Sequence, residues 1–425
     1  MSRELGILAH VTSFGGFTPC LFQFLDFLHE AGVRVWQTLP LNPIGPGGCP
    51  YHSTSAWAGE GSFAPDAEVS DAELSDFLER EFTWLADFAL FTALREDLGK
   101  PWWEWPEAVV ARDSAALGVE AARLQPRMRE IYKAQYLFYR TWERVRAYAR
   151  ERGISVVGDL PFYVAPDSVD VWCNQSLFAL DRVAGCPPDA FCADGQLWGN
   201  PVYNWEKHRE NGYDWWVARI RHSLRLYDRL RIDHFRAMEA FWSVPKDATS
   251  AAAGEWVKGP GYELFEALGP APLIAEDLGY LTPEVYALRD RVGCPGMAVL
   301  QFAFTPGCDS VYLPHHHTQN SVVYTGTHDN ETLRGWIASH PFEAEFARKY
   351  LGCTDLFDGM TRAALSSVAD LAVLQLQDVL GLGAETRMNT PGTVEGNWGW
   401  VCDKTALTKE LAKSLREKAA LYGRV

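Results

Sequence analysis

Eight short apolar segments, spread along 425 residues, constrain the fold of this chain more than any other feature. Each is nearly continuous in hydrophobic residues, as expected for parallel strands that are covered by protein on both faces. The segments are residues 6–13, 33–39, 154–162, 230–235, 273–278, 297–304, 321–329 and 371–380. Helical patterns lie between most of them, so the sequence predicts an α/β fold, a (β/α)8 TIM barrel.

Two long insertions distinguish this chain from a plain barrel. About 115 residues separate the second and third predicted strands, far more than one crossover helix requires. Because residues 71–98 and 121–152 look helical, we predict a mainly helical subdomain at 50–120, over the C-terminal ends of the strands. A second excursion, at 164–212, should form part of a cleft wall. Length also allows two or three ordinary domains, but we predict one catalytic barrel over 1–425.

Charge and cysteine usage argue against several functional classes. The chain has 39 Lys and Arg against 55 Asp and Glu, a formal charge of −16 with no basic patch, so no nucleic-acid partner is expected. No apolar run reaches the roughly 18 residues that a membrane span requires. The nine cysteines are scattered without a C-x-x-C pair, which favours a cytoplasmic protein over a disulfide framework or zinc site. The sequence leaves the oligomeric state undetermined.

Polar residues cluster where five of the eight predicted strands end, and barrel enzymes build their active sites at these ends. A single aspartate there is most often a helix cap or turn residue. Charged groups that converge inside one ring must instead be paired, hydrogen-bonded or functional. The clusters are Gly158-Asp159-Leu160-Pro161, Arg231-Ile232-Asp233-His234-Phe235, Ala275-Glu276-Asp277-Leu278-Gly279, Thr327-His328-Asp329-Asn330 and Gln377-Asp378.

Three carboxylates, Asp233, Glu276 and Asp329, follow the fourth, fifth and seventh predicted strands. Retaining cleavage of a glycosidic bond needs a carboxylate nucleophile and a carboxylic acid about 5–5.5 Å apart, a distance that neighbouring strands about 4.8 Å apart can supply. We expect Arg231 to lower the pKa of Asp233, and the apolar residues before Glu276 to raise its pKa. Only one of Glu276 and Asp277 can enter the barrel, and spacing weakly favours Glu276.

Longer motifs around these carboxylates resemble those of a known family. The motifs are Arg231-Ile232-Asp233-His234-Phe235-Arg236, Ala275-Glu276-Asp277-Leu278-Gly279, Tyr324-Thr325-Gly326-Thr327-His328-Asp329-Asn330, Gly195-Gln196-Leu197-Trp198-Gly199-Asn200-Pro201 and Arg387-Met388-Asn389-Thr390-Pro391-Gly392. Together they resemble the amylomaltases, the 4-α-glucanotransferases or disproportionating enzymes, and matching blocks run in family order from about residue 5 to 400.

The resemblance implies a retaining α-1,4-glucan transferase that uses neither a cofactor nor a metal and has α-1,4-glucans as its partners. It implies that Asp233 is the nucleophile, that Glu276 is the general acid/base, and that Asp329 holds the hydroxyls of the distorted sugar. Three residues match positions around the reacting sugar: Arg231, His234 and His328. The residues that match positions lining the glucan cleft, any of which can instead serve packing alone, are Tyr51, Gln196, Trp198, Phe304, Asn330 and Asn389. Asp159 either orients a ligand or caps a turn.

The chain departs from the family pattern around the predicted cleft. The loop after the first strand is several residues shorter than usual. Cys49 replaces the usual Ser and Glu60 an Asn, while Ala190 replaces a Tyr and Val401 an Arg. None of these changes touches the three carboxylates. They put chain-length preference, acceptor affinity and the balance between transfer and hydrolysis in question.

Three alternative functions stay open at this point. A retaining hydrolase shares every step up to the glycosyl-enzyme, and Ala190 in place of a bulky aromatic would admit water more easily. A glucan-binding protein without catalysis conflicts with the intact carboxylates. A metal-dependent barrel hydrolase is suggested by His315-His316-His317, but three consecutive histidines cannot all face one way and no second ligand pair accompanies them.

Overall fold

The strands form two sheets in the computed structural model, which describes residues 3–188, 194–279 and 281–425. The strands in these residues are β1 (Glu4–Leu8), β2 (Val35–Gln37), β3 (Ser155–Leu160), β4 (Phe178–Cys186), β5 (Gln196–Tyr203), β6 (Arg229–Ile232), β7 (Ala240–Pro245), β8 (Glu255–Lys258), β9 (Leu273–Ala275), β10 (Gly296–Val299), β11 (Ser321–Tyr324) and β12 (Leu371–Gln375). The larger sheet has the order β10-β11-β12-β1-β2-β3-β6-β9, and the smaller has the order β5-β4-β7-β8.

The larger sheet is a nearly closed barrel. Its neighbouring strands are all parallel, and the Ala275 N–H donates to the Pro295 carbonyl at 2.9 Å, which joins β9 to the residue before β10. Each of the eight predicted segments overlaps one of these strands, so the predicted (β/α)8 barrel is confirmed. The strands are shorter than the segments because the last residues of each segment leave the sheet and form the rim.

Helices cover the outside of the barrel. Those in the described residues are α1 (Pro19–Glu30), α2 (Asp71–Arg80), α3 (Phe82–Leu98), α4 (Glu107–Val110), α5 (Ser114–Glu151), α6 (Val169–Cys173), α7 (Trp205–Glu210), α8 (Asp214–Leu226), α9 (Tyr262–Leu268), α10 (Pro283–Val292), α11 (Leu333–Ser339), α12 (Pro341–Leu351), α13 (Leu356–Ser366), α14 (Leu376–Val379) and α15 (Lys409–Leu421). None of them is both long enough and apolar enough to cross a membrane.

The connection between β2 and β3 is mainly helical. The predicted helix at 71–98 is divided at Glu81, whose buried carboxylate accepts a hydrogen bond from Trp84 Nε1 at 2.9 Å and pairs with Arg225. α5 begins seven residues earlier than predicted and continues through Pro126 for 38 residues. Buried residues on α5 pack with those of α3 in the main core. The boundary of a subdomain at 50–120 remains a prediction.

The smaller, antiparallel sheet was not predicted from the sequence. Its strands β4 and β5 lie within residues 164–212, and β7 and β8 follow β6. β4 reads FALDRVAGC and β5 reads QLWGNPVY, and both are only partly buried. Because polar residues, Gly and Pro interrupt them, no apolar run identifies these strands. The sheet raises β5 alongside the end of the barrel where the polar clusters lie.

Candidate active site

A cleft of about 1080 Å³ opens at the C-terminal ends of the barrel strands. The barrel loops form its floor, and β5 forms part of one wall. The residues predicted from the sequence that line the cleft are Tyr51, Gln196, Trp198, Arg231, Asp233, His234, Glu276, His328, Asp329 and Asn389. The fold therefore brings together side chains that lie more than 300 positions apart in the chain.

Asp233 and Glu276 project from neighbouring strands at the same level. Ile232 in β6 pairs with Ala275 in β9, so each carboxylate belongs to the first residue beyond this pair. The Glu276 N–H donates to the Ile232 carbonyl at 3.0 Å, which continues the ladder by one residue. Adjacent strands lie about 4.8 Å apart. Both side chains therefore reach the same part of the cleft, as an acid and a nucleophile for one bond require.

Glu276 and Asp277 face opposite ways. Glu276 lines the cleft, and its Oε2 accepts a hydrogen bond from the His234 N–H at 2.7 Å. Asp277 is 3% exposed, accepts from the Met297 N–H at 2.7 Å and pairs with Arg289 at 2.7 Å. The residue that spacing weakly favoured is thus the one that faces the cleft, while Asp277 fastens β9 to β10 and α10.

Arg231 connects two carboxylates at the base of the cleft. Its Nη1 lies 2.7 Å from both oxygens of Asp159 and 3.1 Å from Oδ1 of Asp233. The Tyr51 hydroxyl donates to Asp159 Oδ2 at 2.7 Å. Asp159 has no exposed side-chain surface and does not line the cleft. Asp159 holds Tyr51 and Arg231, two side chains that do line the cleft.

Asp329 is the most open carboxylate of the three, with 46% of its side chain exposed. Asn389 Nδ2 donates to its Oδ1 at 2.6 Å, and His328 Nε2 lies 3.4 Å from its Oδ2. Arg387 donates to the Asp329 carbonyl at 2.6 Å. The His328 ring in turn stacks on Tyr51, with centroids 5.2 Å apart. Asp329 is therefore held in one orientation while part of its surface stays available to a ligand.

Aromatic rings form much of the cleft wall, and several were missed by the sequence analysis. Trp198 Nε1 donates to Gln196 Oε1 at 3.1 Å, and the ring meets His234 edge to face at 4.9 Å. The rings that were missed are Tyr163, Phe302, Tyr312 and Trp398. Among them, Trp398 lies three residues before Val401, one of the departures from the family pattern. The abundance of aromatic residues in the sequence is a signal that rings could line a cleft, but composition does not identify which rings are exposed.

Besides Asp159, two predicted binding residues, Phe304 and Asn330, do not line the cleft. Phe304 is fully buried in the main core, whereas Phe302 is 43% exposed and lines the cleft. A short 3-10 turn at Leu300–Phe302 follows β10 and ends the strand alternation, which turns Phe304 inward. Asn330 Oδ1 accepts hydrogen bonds from the Thr327 N–H at 2.8 Å and its hydroxyl at 2.9 Å. Asn330 therefore holds the turn that carries Asp329.

The departures from the family pattern lie in different environments. Cys49 lines the cleft beside Tyr51. Glu60 accepts hydrogen bonds from the N–H groups of Ile44 and Ser62, both at 3.0 Å, and so holds its own loop. Val401 is 63% exposed. Ala190 lies outside the described residues.

Burial raises the pKa of both central carboxyl groups. It raises the pKa of Glu276 to about 8, and the nearby negative charge of Asp233 adds to this. It also raises the pKa of Asp233 to about 7, because burial outweighs the attraction of Arg231. Arg231 does lower this pKa, as expected, but the larger effect of burial leaves the pKa above its ordinary value. Arg231 donates a hydrogen bond directly to Asp233, so the pKa of Asp233 stays below that of Glu276. When the two carboxyl groups hold one proton between them, that proton therefore lies mainly on Glu276.

The three consecutive histidines lie apart from the cleft lining. His315 and His316 face Asp309 on an exposed loop, with nitrogen–oxygen distances of 3.8 and 3.5 Å. His317 instead lies 2.8 Å from the Ser367 hydroxyl. None of the three lines the cleft. The loop arrangement gives no support to a metal-assisted reaction at the carboxylates.

Comparisons with known proteins identify similar chains. A family profile described as 4-alpha-glucanotransferase matches residues 8–69 and 62–405. The chain is 40% identical to the 4-alpha-glucanotransferase of Synechocystis over 495 aligned residues, covering 99% of this chain and 98% of that one. It is also 40% identical to the Aquifex aeolicus protein of the same name over 486 residues, with 99% of each covered. The alignments exceed 425 residues, so this chain is the shorter one.

Solved structures of amylomaltases superpose on this chain. The amylomaltase from Streptococcus agalactiae, in complex with acarbose, superposes with a TM-score of 0.94 at 35% identity, covering 99% of each chain. The amylomaltase from Corynebacterium glutamicum superposes with a TM-score of 0.79 at 18% identity, covering 100% of this chain and 75% of that one, and shows the fold alone.

Proposed function

The chain belongs to the 4-alpha-glucanotransferase family and is a 4-alpha-glucanotransferase, and from this premise we propose that it acts by double displacement with Asp233 as nucleophile and Glu276 as general acid/base. The observation that carries the assignment is the position of both carboxylates, one residue beyond the Ile232–Ala275 pair and facing one cleft. The family profile and the similar chains confirm the resemblance drawn from the motifs at the level of the family.

In the first step, the ionised Asp233 attacks the anomeric carbon of a donor glucan while protonated Glu276 gives its proton to the glycosidic oxygen. The bond between that carbon and oxygen breaks, and the leaving chain departs with a free 4-hydroxyl. The raised pKa of Glu276 supports this role, since an ordinary glutamate would have lost its proton at neutral pH.

In the second step, the 4-hydroxyl of an acceptor glucan gives its proton to the Glu276 carboxylate and attacks the same carbon. The ester bond to Asp233 breaks, and two inversions produce net retention. Transfer and hydrolysis differ only in whether a sugar hydroxyl or water makes this attack. The aromatic wall around Trp198 and Trp398 supports transfer, because flat apolar rings bind sugar faces and keep water away.

Asp329 would hold sugar hydroxyls most strongly in the distorted transition state. Its orientation by Asn389 and its open surface suit this task. We propose maltodextrins and longer α-1,4-glucans as donors and acceptors. The absence of a cofactor, of nucleic-acid and membrane partners, and the cytoplasmic location remain predictions from the sequence.

Products formed from maltotriose test the proposal. Purified protein should yield glucose together with maltopentaose and longer chains, resolved by chromatography over time. Glucose and maltose without longer products would establish a retaining hydrolase instead. No turnover, with maltotriose still bound, would indicate a glucan-binding protein. The Asp233→Ala variant is the control for contaminating activity.

A further inference from the structure

A shallow groove of about 100 Å³ lies behind the wall of the cleft. Gln196, Trp198 and Asn200 of β5 line the cleft, whereas Gly199 and Pro201 of the same strand line the groove. Alternate residues of a strand face opposite sides, so one strand separates the two sites. The groove and the substrate cleft are thus two faces of a single wall.

Trp102 and Trp103 line one side of the groove, and Trp105 follows two residues later in the same turn. Trp102 and Trp105 are 4% and 5% exposed, and their Nε1 groups donate to the Pro166 and Lys100 carbonyls, both at 2.9 Å. Trp103 lies between them and is 45% exposed. The two buried rings anchor the turn, so the third ring is presented to solvent in a fixed position.

The groove combines a flat ring with a free hydrogen-bond donor. Lys246 Nζ lies over the Trp103 ring at 5.8 Å from its centroid, and no ion pair holds it within the described residues. Arg182, in contrast, is held by Ser243 and Glu255. Leu180, 36% exposed, extends the apolar surface. The Lys246 contact is looser than the 3.9 Å contact of Arg236 with Trp256, and a ring face with an ammonium donor close to it fits a neutral, polyhydroxylated ligand such as a pyranose.

Exposure of a tryptophan does not by itself indicate a binding site. Trp256 on β8 is 42% exposed, close to the value for Trp103. The Arg236 guanidinium, however, lies 3.9 Å from the Trp256 centroid and covers its face. Trp256 also lies outside the groove. The two residues therefore form a matched pair in which only Trp103 lines the groove.

We propose that the Trp103 groove is a second, non-catalytic binding site for long α-1,4-glucans. The proposal rests on the proposed function, because the occupant is the polymer that the cleft acts on. A chain bound in the cleft can continue around the edge of β5 and place a glucose unit against Trp103. Two contacts on one polymer raise the effective concentration at the cleft, whereas a trisaccharide is too short to use both.

Binding and kinetics of Trp103→Ala and Trp256→Ala test this site. In the Asp233→Ala background, which prevents turnover, affinity electrophoresis in amylose should show binding weakened at least about fivefold by Trp103→Ala and unchanged by Trp256→Ala. In the active enzyme, Trp103→Ala should raise KM for amylose by a similar factor with kcat unchanged, and should leave maltotriose kinetics unaltered. Lys246→Ala should weaken amylose binding about twofold.

Equal amylose binding by Trp103→Ala and the parent protein would overturn the second site. A parallel loss of Trp103→Ala activity on maltotriose would also overturn it, because that loss would show that the ring has a structural role. If Trp103→Ala fails to fold, Trp103→Leu and Lys246→Ala give the same comparison. Failure of the unmodified enzyme to lengthen maltotriose would instead overturn the proposed function, and this result is obtained in a separate assay.

Discussion

Carboxylates at the ends of the barrel strands fall into two groups that look alike in the sequence. Asp233, Glu276 and Asp329 line the cleft. Asp277 and Asp378 follow the same kind of apolar segment but are 3% and 5% exposed, and neither lines the cleft. All five are short acidic side chains at the same end of the barrel, so the two groups differ only in their surroundings.

The buried group has its oxygens occupied by protein donors. Asp378 accepts from the Thr325 hydroxyl at 2.8 Å and from the Leu333 N–H at 2.7 Å, at the start of α11. Asp277 is held by Met297 and Arg289. Both oxygens of Glu276 also accept hydrogen bonds, from the His234 and Leu278 N–H groups, but Glu276 lines the cleft, whereas Asp277 and Asp378 are buried away from it and can only stabilise the structure. Exposure to the cleft, more than position on a strand or unoccupied oxygens, therefore separates the two groups.

Removing the nucleophile gives the largest expected effect. Asp233→Ala should lower kcat on maltotriose at least about 10⁴-fold, because Asp159, the other carboxylate in contact with Arg231, does not line the cleft. The melting temperature and circular dichroism should stay close to those of the parent. A variant that retains more than a tenth of the activity would refute the assignment.

Replacing the acid should give a smaller loss and a changed pH profile. Glu276→Gln should reduce kcat about 10²- to 10⁴-fold. In the parent, Glu276 must be protonated, so kcat/KM should fall as pH rises through its pKa of about 8. Asp233 must be ionised, so kcat/KM should fall as pH drops through its pKa of about 7. A pH series should show the alkaline limb lost in Glu276→Gln, and its persistence would assign that limb to another group.

Loosening a cleft carboxylate without removing it should cost less. Asn389→Ala removes the 2.6 Å hydrogen bond to Asp329, so the carboxylate loses its fixed orientation. We expect kcat to fall about tenfold, with little change in the free energy of unfolding. Asn389→Asp would place a second negative charge beside Asp329 and should be worse. Wild-type kinetics in Asn389→Ala would show that Asp329 needs no such support.

Removing a buried carboxylate should leave activity nearly unchanged and affect stability instead. Asp277→Ala leaves the buried Met297 N–H without its acceptor, and the free energy of unfolding should fall by about 1–3 kcal/mol in urea titrations. Activity per folded molecule should stay within about twofold, since Asp277 does not line the cleft. A large loss of kcat in a fully folded sample would remove the distinction between the two groups.

Much of the fold and the centre of the site could be predicted from the sequence. Eight apolar segments indicate eight buried strands because strand burial leaves a local pattern, and the polar residues at their ends follow from the barrel geometry. Asp159 was identified for the same reason. Its role was not, because its partners Tyr51 and Arg231 lie 108 and 72 positions away.

The sequence by itself determined the barrel, the family and the three carboxylates, since each depends on local periodicity or on contiguous motifs. Only the tertiary structure decided that Phe302 rather than Phe304 lines the cleft, and that a second sheet raises β5 as a wall. It also decided that burial outweighs Arg231 in setting the pKa of Asp233. These outcomes depend on which distant side chains exclude water or supply hydrogen bonds, and no local pattern records that.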